Sequence, residues 1–226
     1  MARLYNQILG DPSGTLGNMV FRIRKGADFI AKRPSPRSTA ANNSELAFRG
    51  KFGLTGKIAQ GINSVDVLKE VWPTSTGRAS KFNDIFKANY KLINSAENPG
   101  SAIVAPVFGF NAANAVLTAG ASGIHLVTDA LGVNIGVDTG VEKFLVAAGI
   151  VVLNNPTLEN IATNQVIPFK SNQHNLDLIN PVDLTADFSG GTLAMYESYT
   201  DKKVFACLVT LDENGKAVHY SSTFNS

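Results

Sequence analysis

The pattern of hydrophobic and polar positions changes character twice along the 226 residues. Near the start, two short alternating runs, Asn18–Arg24 (NMVFRIR) and Ala27–Arg33 (ADFIAKR), flank Lys25-Gly26. Alternation puts Met19, Phe21 and Ile23 on one face of the first run and Val20, Arg22 and Arg24 on the other. Two such runs around a Gly-containing pair predict a β-hairpin. A two-stranded ribbon is marginal by itself in water, so this one needs a surface to lie on. The Pro/Ser stretch from Pro34 to Ala41 reads as an extended linker.

From Asn42 to Val65 the spacing becomes helical. Phe48, Phe52, Ala59 and Ile62 recur on one stripe, with Leu54, Ile58 and Val65 on the next. Asn42 with Glu45 three residues on has the form of an N-terminal capping arrangement. Gly50, Gly53, Gly56 and Gly61 oppose helix formation, each by about 0.8–1 kcal/mol relative to Ala, and fit places where another backbone passes close by. Val65–Trp72 predicts a short helix or turn ended by Pro73. Ala79–Ile93 predicts a helix with Phe82, Ile85, Phe86, Tyr90 and Ile93 on its apolar face.

Glu97-Asn-Pro-Gly100 marks a boundary. Beyond it the runs are short and bounded by turn residues: Ser101–Val107, Ala115–Thr118, Ile124–Thr128, Val133–Val137, Lys143–Leu153, Gln165–Phe169, Leu176–Leu184, Thr192–Tyr199, Val204–Leu211 and Ala217–Thr223. Strands at that spacing predict an antiparallel sandwich or barrel. The organisation read from the pattern is a basic arm with a hairpin (1–41), a helical segment (42–98) and a β-domain (99–226).

Charge sharpens this division. Residues 1–100 hold 15 bases and 7 acids, a net of +8, and residues 101–226 hold 5 bases and 11 acids, a net of −6. Such a chain is suited to pairing head to tail with copies of itself, or to laying its basic end on an anionic surface. The arm concentrates the charge: Arg22, Arg24, Lys25, Lys32, Arg33 and Arg37 against Asp28. These are the candidates for an anionic contact, either with nucleic acid or with the acidic half of a neighbouring copy, the third reading being plain solvated charge. Phe21, Ile23, Phe29 and Ile30 are the apolar anchors of the arm. Gly14 and Gly17, followed by Asn18, permit the positive φ or close approach needed where the arm turns into its first strand.

Catalytic and metal chemistry find little support. His125, His174 and His219 are widely spaced and form no metal-ligand motif. Cys207 lies in VFACLVTL, the setting of a core cysteine and not of a reactive thiol. Gly50–Lys57 resembles a phosphate loop, but its framing glycines are one residue too far apart and Ile58 stands where Ser/Thr is needed. Gly120-Ala-Ser122-Gly123 lacks the spacing of a nucleophile elbow. Asp129, Asp138, Glu142, Asp177, Asp183 and Asp187 read mostly as carboxylates at turns. No apolar run reaches membrane-spanning length, and the opening MARLYNQILGDPSG lacks the apolar core of a secretory signal.

The opening pattern, Gly14-Thr-Leu-Gly17-Asn18-Met-Val20, then the basic hairpin RIRKGADFIAKRP and Arg49-Gly-Lys-Phe52, resembles an uncharacterised bacterial family best represented in Bacteroidota genomes. Leu184–Leu193 and Asp212-Glu-Asn-Gly-Lys216 look like that family's closing hairpins. The likeness is loose between about 100 and 170, and Glu45-Leu-Ala departs from the Gln that many members have there. The resemblance implies an N-terminal arm and helices before an immunoglobulin-like β-domain, and no assigned activity. The expected fold class is therefore α+β, mainly β, with an antiparallel sandwich.

The expected function is that of a structural subunit, not an enzyme, which self-assembles through its arm as part of a phage-like virion, tail or filament. Its partners would be copies of itself and other particle subunits, without cofactor or metal. It would be made in the bacterial cytoplasm and reside in the assembled particle. The alternatives are an immunoglobulin-like module binding protein or glycan, a nucleic-acid-contacting assembly protein, and a hydrolase with its site in the β-domain.

Overall fold

The computed structural model describes residues 2–3, 14–24, 27–35, 42–73 and 80–226. The contacts divide the chain into two units, Met1–Asn42 and Asn43–Ser226.

The first unit is a four-stranded antiparallel sheet of order β1-β4-β3-β2, formed by β1 (Ala2–Arg3), β2 (Gly14–Leu16), β3 (Met19–Arg24) and β4 (Ala27–Lys32). The two strands read from alternation are β3 and β4, paired with Phe21 opposite Ile30 and Arg22 opposite Phe29. Their link, Lys25-Gly26, lies outside the described residues, as do positions 36–41 of the linker. The Gly17-Asn18 pair joins β2 to β3, with Gly17 at φ +57°. Positive φ at the first of two turn residues matches the twist of a hairpin, and glycine reaches it without strain.

The second unit is built in layers. Its helices are α1 (Asn43–Ser64), α2 (Asp66–Val71), α3 (Lys81–Tyr90) and α4 (Gly190–Glu197). A three-stranded antiparallel sheet has the order β10-β6-β5, from β5 (Val116–Ala119), β6 (Gly123–Thr128) and β10 (Val182–Asp187). A six-stranded sheet has the order β12-β11-β7-β8, from β7 (Glu142–Pro156), β8 (Asn164–Lys170), β11 (Tyr199–Asp212) and β12 (Ala217–Tyr220). In it β9 (His174–Asn175) pairs with β7, and β13 (Phe224–Asn225) with β11. The fold is α+β, mainly β, with two antiparallel sheets facing one another.

Strand periodicity explains the layers. On β7 and β11, Val146, Ala148, Ile150, Val152, Phe205, Cys207, Val209 and Leu211 point to one side, into a core shared with Leu54, Ile58, Ile62, Leu68, Trp72 and Ile85 of the helical segment. The intervening Leu145, Ala147, Val151, Leu153, Val204, Ala206 and Leu208 point to the other side, against Leu117, Leu126, Val182, Leu184 and Tyr196. A strand buried on both faces needs an unbroken apolar run, which is what Phe144–Leu153 supplies. Helices α1–α3 therefore cover one face of the six-stranded sheet, and the three-stranded sheet with α4 covers the other. Helix α1 comes so near the sheet that a Cβ at Gly61 would lie 3.0 Å from Val166 Cγ1.

Three of the expected strands take other forms, and of Leu176–Leu184 only the last three residues are strand, at the start of β10. Residues 101–107 make no strand, because side chains and not a neighbouring strand pair their backbone. Ile103 N–H donates to Asn89 Oδ1 at 2.8 Å, Val104 N–H to Thr223 Oγ1 at 3.0 Å, and Trp72 Nε1 donates to Val104 O at 2.9 Å. Val133–Ile135 is a 3-10 turn between Gly132 and Gly136, both at positive φ. The run Thr192–Tyr199 alternates like a strand but forms α4 up to Glu197. Its Leu, Ala, Met and Glu are strong helix formers, and propensity wins over alternation there.

Candidate assembly surfaces

The arm residues singled out in the sequence come together in the first sheet. Phe21 and Ile30 are cross-strand partners and share a face, whereas Phe29 sits opposite Arg22 on the other face. Ile23 pairs with Asp28, and Arg24 with Ala27, in the same register. Gly14 has φ +107°, and nothing lies within 4 Å of a Cβ built on it. Asn18 O accepts the Arg33 N–H at 2.6 Å, which closes the β3–β4 ladder. Arg22, Lys32 and Arg33 are exposed, and Lys25 and Arg37 lie outside the described residues. Among the described side chains of this unit none is buried: Val20, Phe21, Phe29 and Ile30 are half-buried, and Met19 is 44% exposed.

A second surface lies on α1. Its apolar stripe is buried only in the C-terminal half, from Leu54 onward. Phe48 and Phe52 are 66% and 60% exposed. The Phe52 ring lies 4.8 Å from that of Phe86, which stacks at 5.7 Å on Tyr90, and Phe82 lies 6.2 Å from Phe86. Lys51 Nζ stands 4.9 Å above the Tyr90 ring. Beside this ridge, Phe86, Lys87, Ala88, Tyr90 and Lys91 line a shallow depression. The local composition offers one signal for it: Arg49, Lys51, Lys87 and Lys91 interrupt the aromatic stripe, as they would not in a helix face turned inward.

The three-stranded sheet presents the opposite chemistry. Its outer face carries Asp183, Thr185 and Asp187 from β10, His125 and Val127 from β6, and Thr118 and Val116 from β5. Val116 is 57% exposed. His125 Nε2 lies 2.6 Å from Asp183 Oδ1. Asp183 and Asp187 thus stand on a strand and not at turns. Asp177 and Asp212 do occupy turns. The Asn180 side chain and the Ile179 and Asn180 N–H groups hold the Asp177 carboxyl below the usual range. The Lys216 N–H does the same for Asp212, with help from Asn214.

The remaining candidates fall into structural roles. Burial pushes the Cys207 thiol far above its ordinary value. Gly50–Lys57 is the middle of α1, where Lys57 Nζ donates to Asn164 O at 2.6 Å, and burial lowers its pKa. Gly120–Gly123 is the β5–β6 turn, closed by a 2.8 Å hydrogen bond between these two residues. His219 Nδ1 lies 2.9 Å from Oε1 of the buried Glu142, a pairing of residues 77 apart that the sequence reading missed. His174 is exposed on β9. Among the described residues, no group of three or more His, Cys, Asp and Glu could hold a metal ion. Among them, too, no helix is long and apolar enough to cross a membrane.

Comparison of the chain with protein-family models and with curated proteins finds no match to either.

Proposed function

We propose that this chain is a structural subunit that self-assembles through its N-terminal arm, as part of a phage-like particle, tail or filament. The observation that carries the reading is the arm's sheet with no buried side chain among its described residues. Sheets gain stability by covering an apolar face, and Phe21, Ile30 and Met19 offer such a face half-covered. A neighbouring copy supplies the cover, and the exposed Lys32, the cross-strand partner of Met19 on that face, favours an acidic one. The test is the mass of the particle by sedimentation velocity, before and after deletion of residues 1–42. The truncated chain should remain folded and lose the assembly. A truncated chain that forms the same oligomer as the full one sinks the reading.

A second reading, an interaction module binding protein or glycan through its β-domain loops, draws on one observation. The Gly132 N–H donates to Leu178 O at 2.8 Å, which sets the exposed Val133 and Ile179 on adjoining loops. It predicts a monomer at all concentrations.

A further inference from the structure

The body carries its two charged faces on opposite sides of the six-stranded sheet. On the helix side, the described residues 43–73 and 80–94 contain seven bases and four acids, a net of +3. On the other side, the segments that build the three-stranded sheet and its flanks, 115–131 and 176–191, contain four acids and no Lys or Arg. Each face also exposes apolar groups that a lone surface would not need: Phe48 and Phe52 on the first, Val116 on the second.

We propose that the aromatic and lysine ridge of α1 and α3 seats on the acidic outer face of the three-stranded sheet of a second copy. This deepens the assembly reading above and rests on it. The charges decide the occupant. Lys51, Lys87 and Lys91 meet Asp183 and Asp187, while Phe48, Phe52 and Tyr90 cover Val116, Val127 and the two threonines beside them. Two ridges face to face would oppose like charges, and so would two acidic sheets, so a symmetric contact is disfavoured on both sides. A contact between different patches on opposite sides of one body is heterologous. It repeats from copy to copy and gives a stack or a closed ring, not a dimer.

The experiment uses the full chain and three variants: Lys51→Asp with Lys87→Asp and Lys91→Asp; Asp183→Lys with Asp187→Lys; and all five changes together. Lys87, Lys91, Asp183 and Asp187 are exposed and Lys51 is half-buried, and the buried Trp72 reports by its fluorescence that each variant is folded. Either partial set should raise the concentration for half-assembly about tenfold or more, and the full exchange should restore it, because the signs match again. Added salt should weaken the wild-type contact. Unchanged association in either partial set, or no recovery in the full exchange, overturns the proposal. If the partial sets assemble normally while deletion of residues 1–42 abolishes assembly, this contact is wrong and the arm reading stands. If the wild-type chain sediments only as a 24.0 kDa species, both fail together.

Discussion

The same substitution, Gly to Ala, should have opposite signs at two places in the body. Gly149 lies in the middle of β7, paired with Ala206 of β11. A Cβ there would stand 2.1 Å from Phe205 O, 2.8 Å from Ala206 Cα and 2.9 Å from Phe169 Cζ. The ring can shift, but the backbone atoms cannot move alone. Comfortable contact needs about 3.5 Å or more, so β7 and β11 must part at the centre of their ladder. Overpacking of this kind costs about 1–3 kcal/mol, and each ladder hydrogen bond that is stretched adds about 1 kcal/mol. The reduced freedom of the unfolded chain returns only about 0.4–1 kcal/mol. The net loss for Gly149→Ala is about 2–3 kcal/mol. Gly53 lies in the exposed middle of α1, and nothing stands within 4 Å of its would-be Cβ. Gly53→Ala should therefore stabilise the body by about 0.8–1 kcal/mol through helix propensity. At this chain length 1 kcal/mol moves the melting temperature by about 2–4 °C, so the two variants should melt on either side of the wild type. Trp72, the single tryptophan and a buried one, reports body unfolding by fluorescence during heating and in denaturant. A Gly149→Ala protein as stable as the wild type would show that the sheet yields at its centre. A Gly53→Ala protein that melts earlier would show that α1 is not a regular helix there.

Two further outcomes follow from the titrating groups. Cys207 should be inert to thiol reagents in the native chain at pH 8 and react stoichiometrically in denaturant, since it is wholly buried and its thiolate is strongly disfavoured; fast labelling of the native protein would refute its place in the core. The Asp212 carboxyl accepts the Asn214 and Lys216 N–H groups at 2.8 and 2.9 Å, and its pKa is held below 3.8. Because the folded value is the lower one, the stabilisation is present above pH 3.8 and disappears as pH falls through the folded pKa. The melting difference between wild type and Asp212→Ala should shrink below that pH, and a constant difference from pH 5 down would exclude the carboxylate as its source.

Local pattern was enough for elements whose sequence and surroundings agree. The strands β3 and β4 lie within one residue of the runs read from alternation. The apolar run that became β7 could be read as buried because no solvated strand needs ten such residues in succession. Periodicity fixes which residues share a face, and stops short of saying whether anything lies opposite. Phe48 and Ala59 sit on one stripe of α1, yet the sheet covers only Ala59. The same limit hid the Glu142–His219 pair and the Asn89 carboxamide that anchors residue 103, both of which depend on long-range placement. The opposition of charge was legible as a count. Its division between two sides of the body depends on β7 pairing with β11, which no local feature announces.

The segment stitched by Asn89, Trp72 and Thr223 bears on how the body is made. During synthesis α1–α3 leave the ribosome before the sheet they cover, but the N–H groups of Val104 and Ala105 find their common acceptor only once Thr223 has emerged. Until then the loop threading between helices and sheet carries unpaired donors into an apolar setting, which favours keeping it open to water. The loop on which the helical layer rests is thus fastened late, by a hydroxyl about 120 residues downstream.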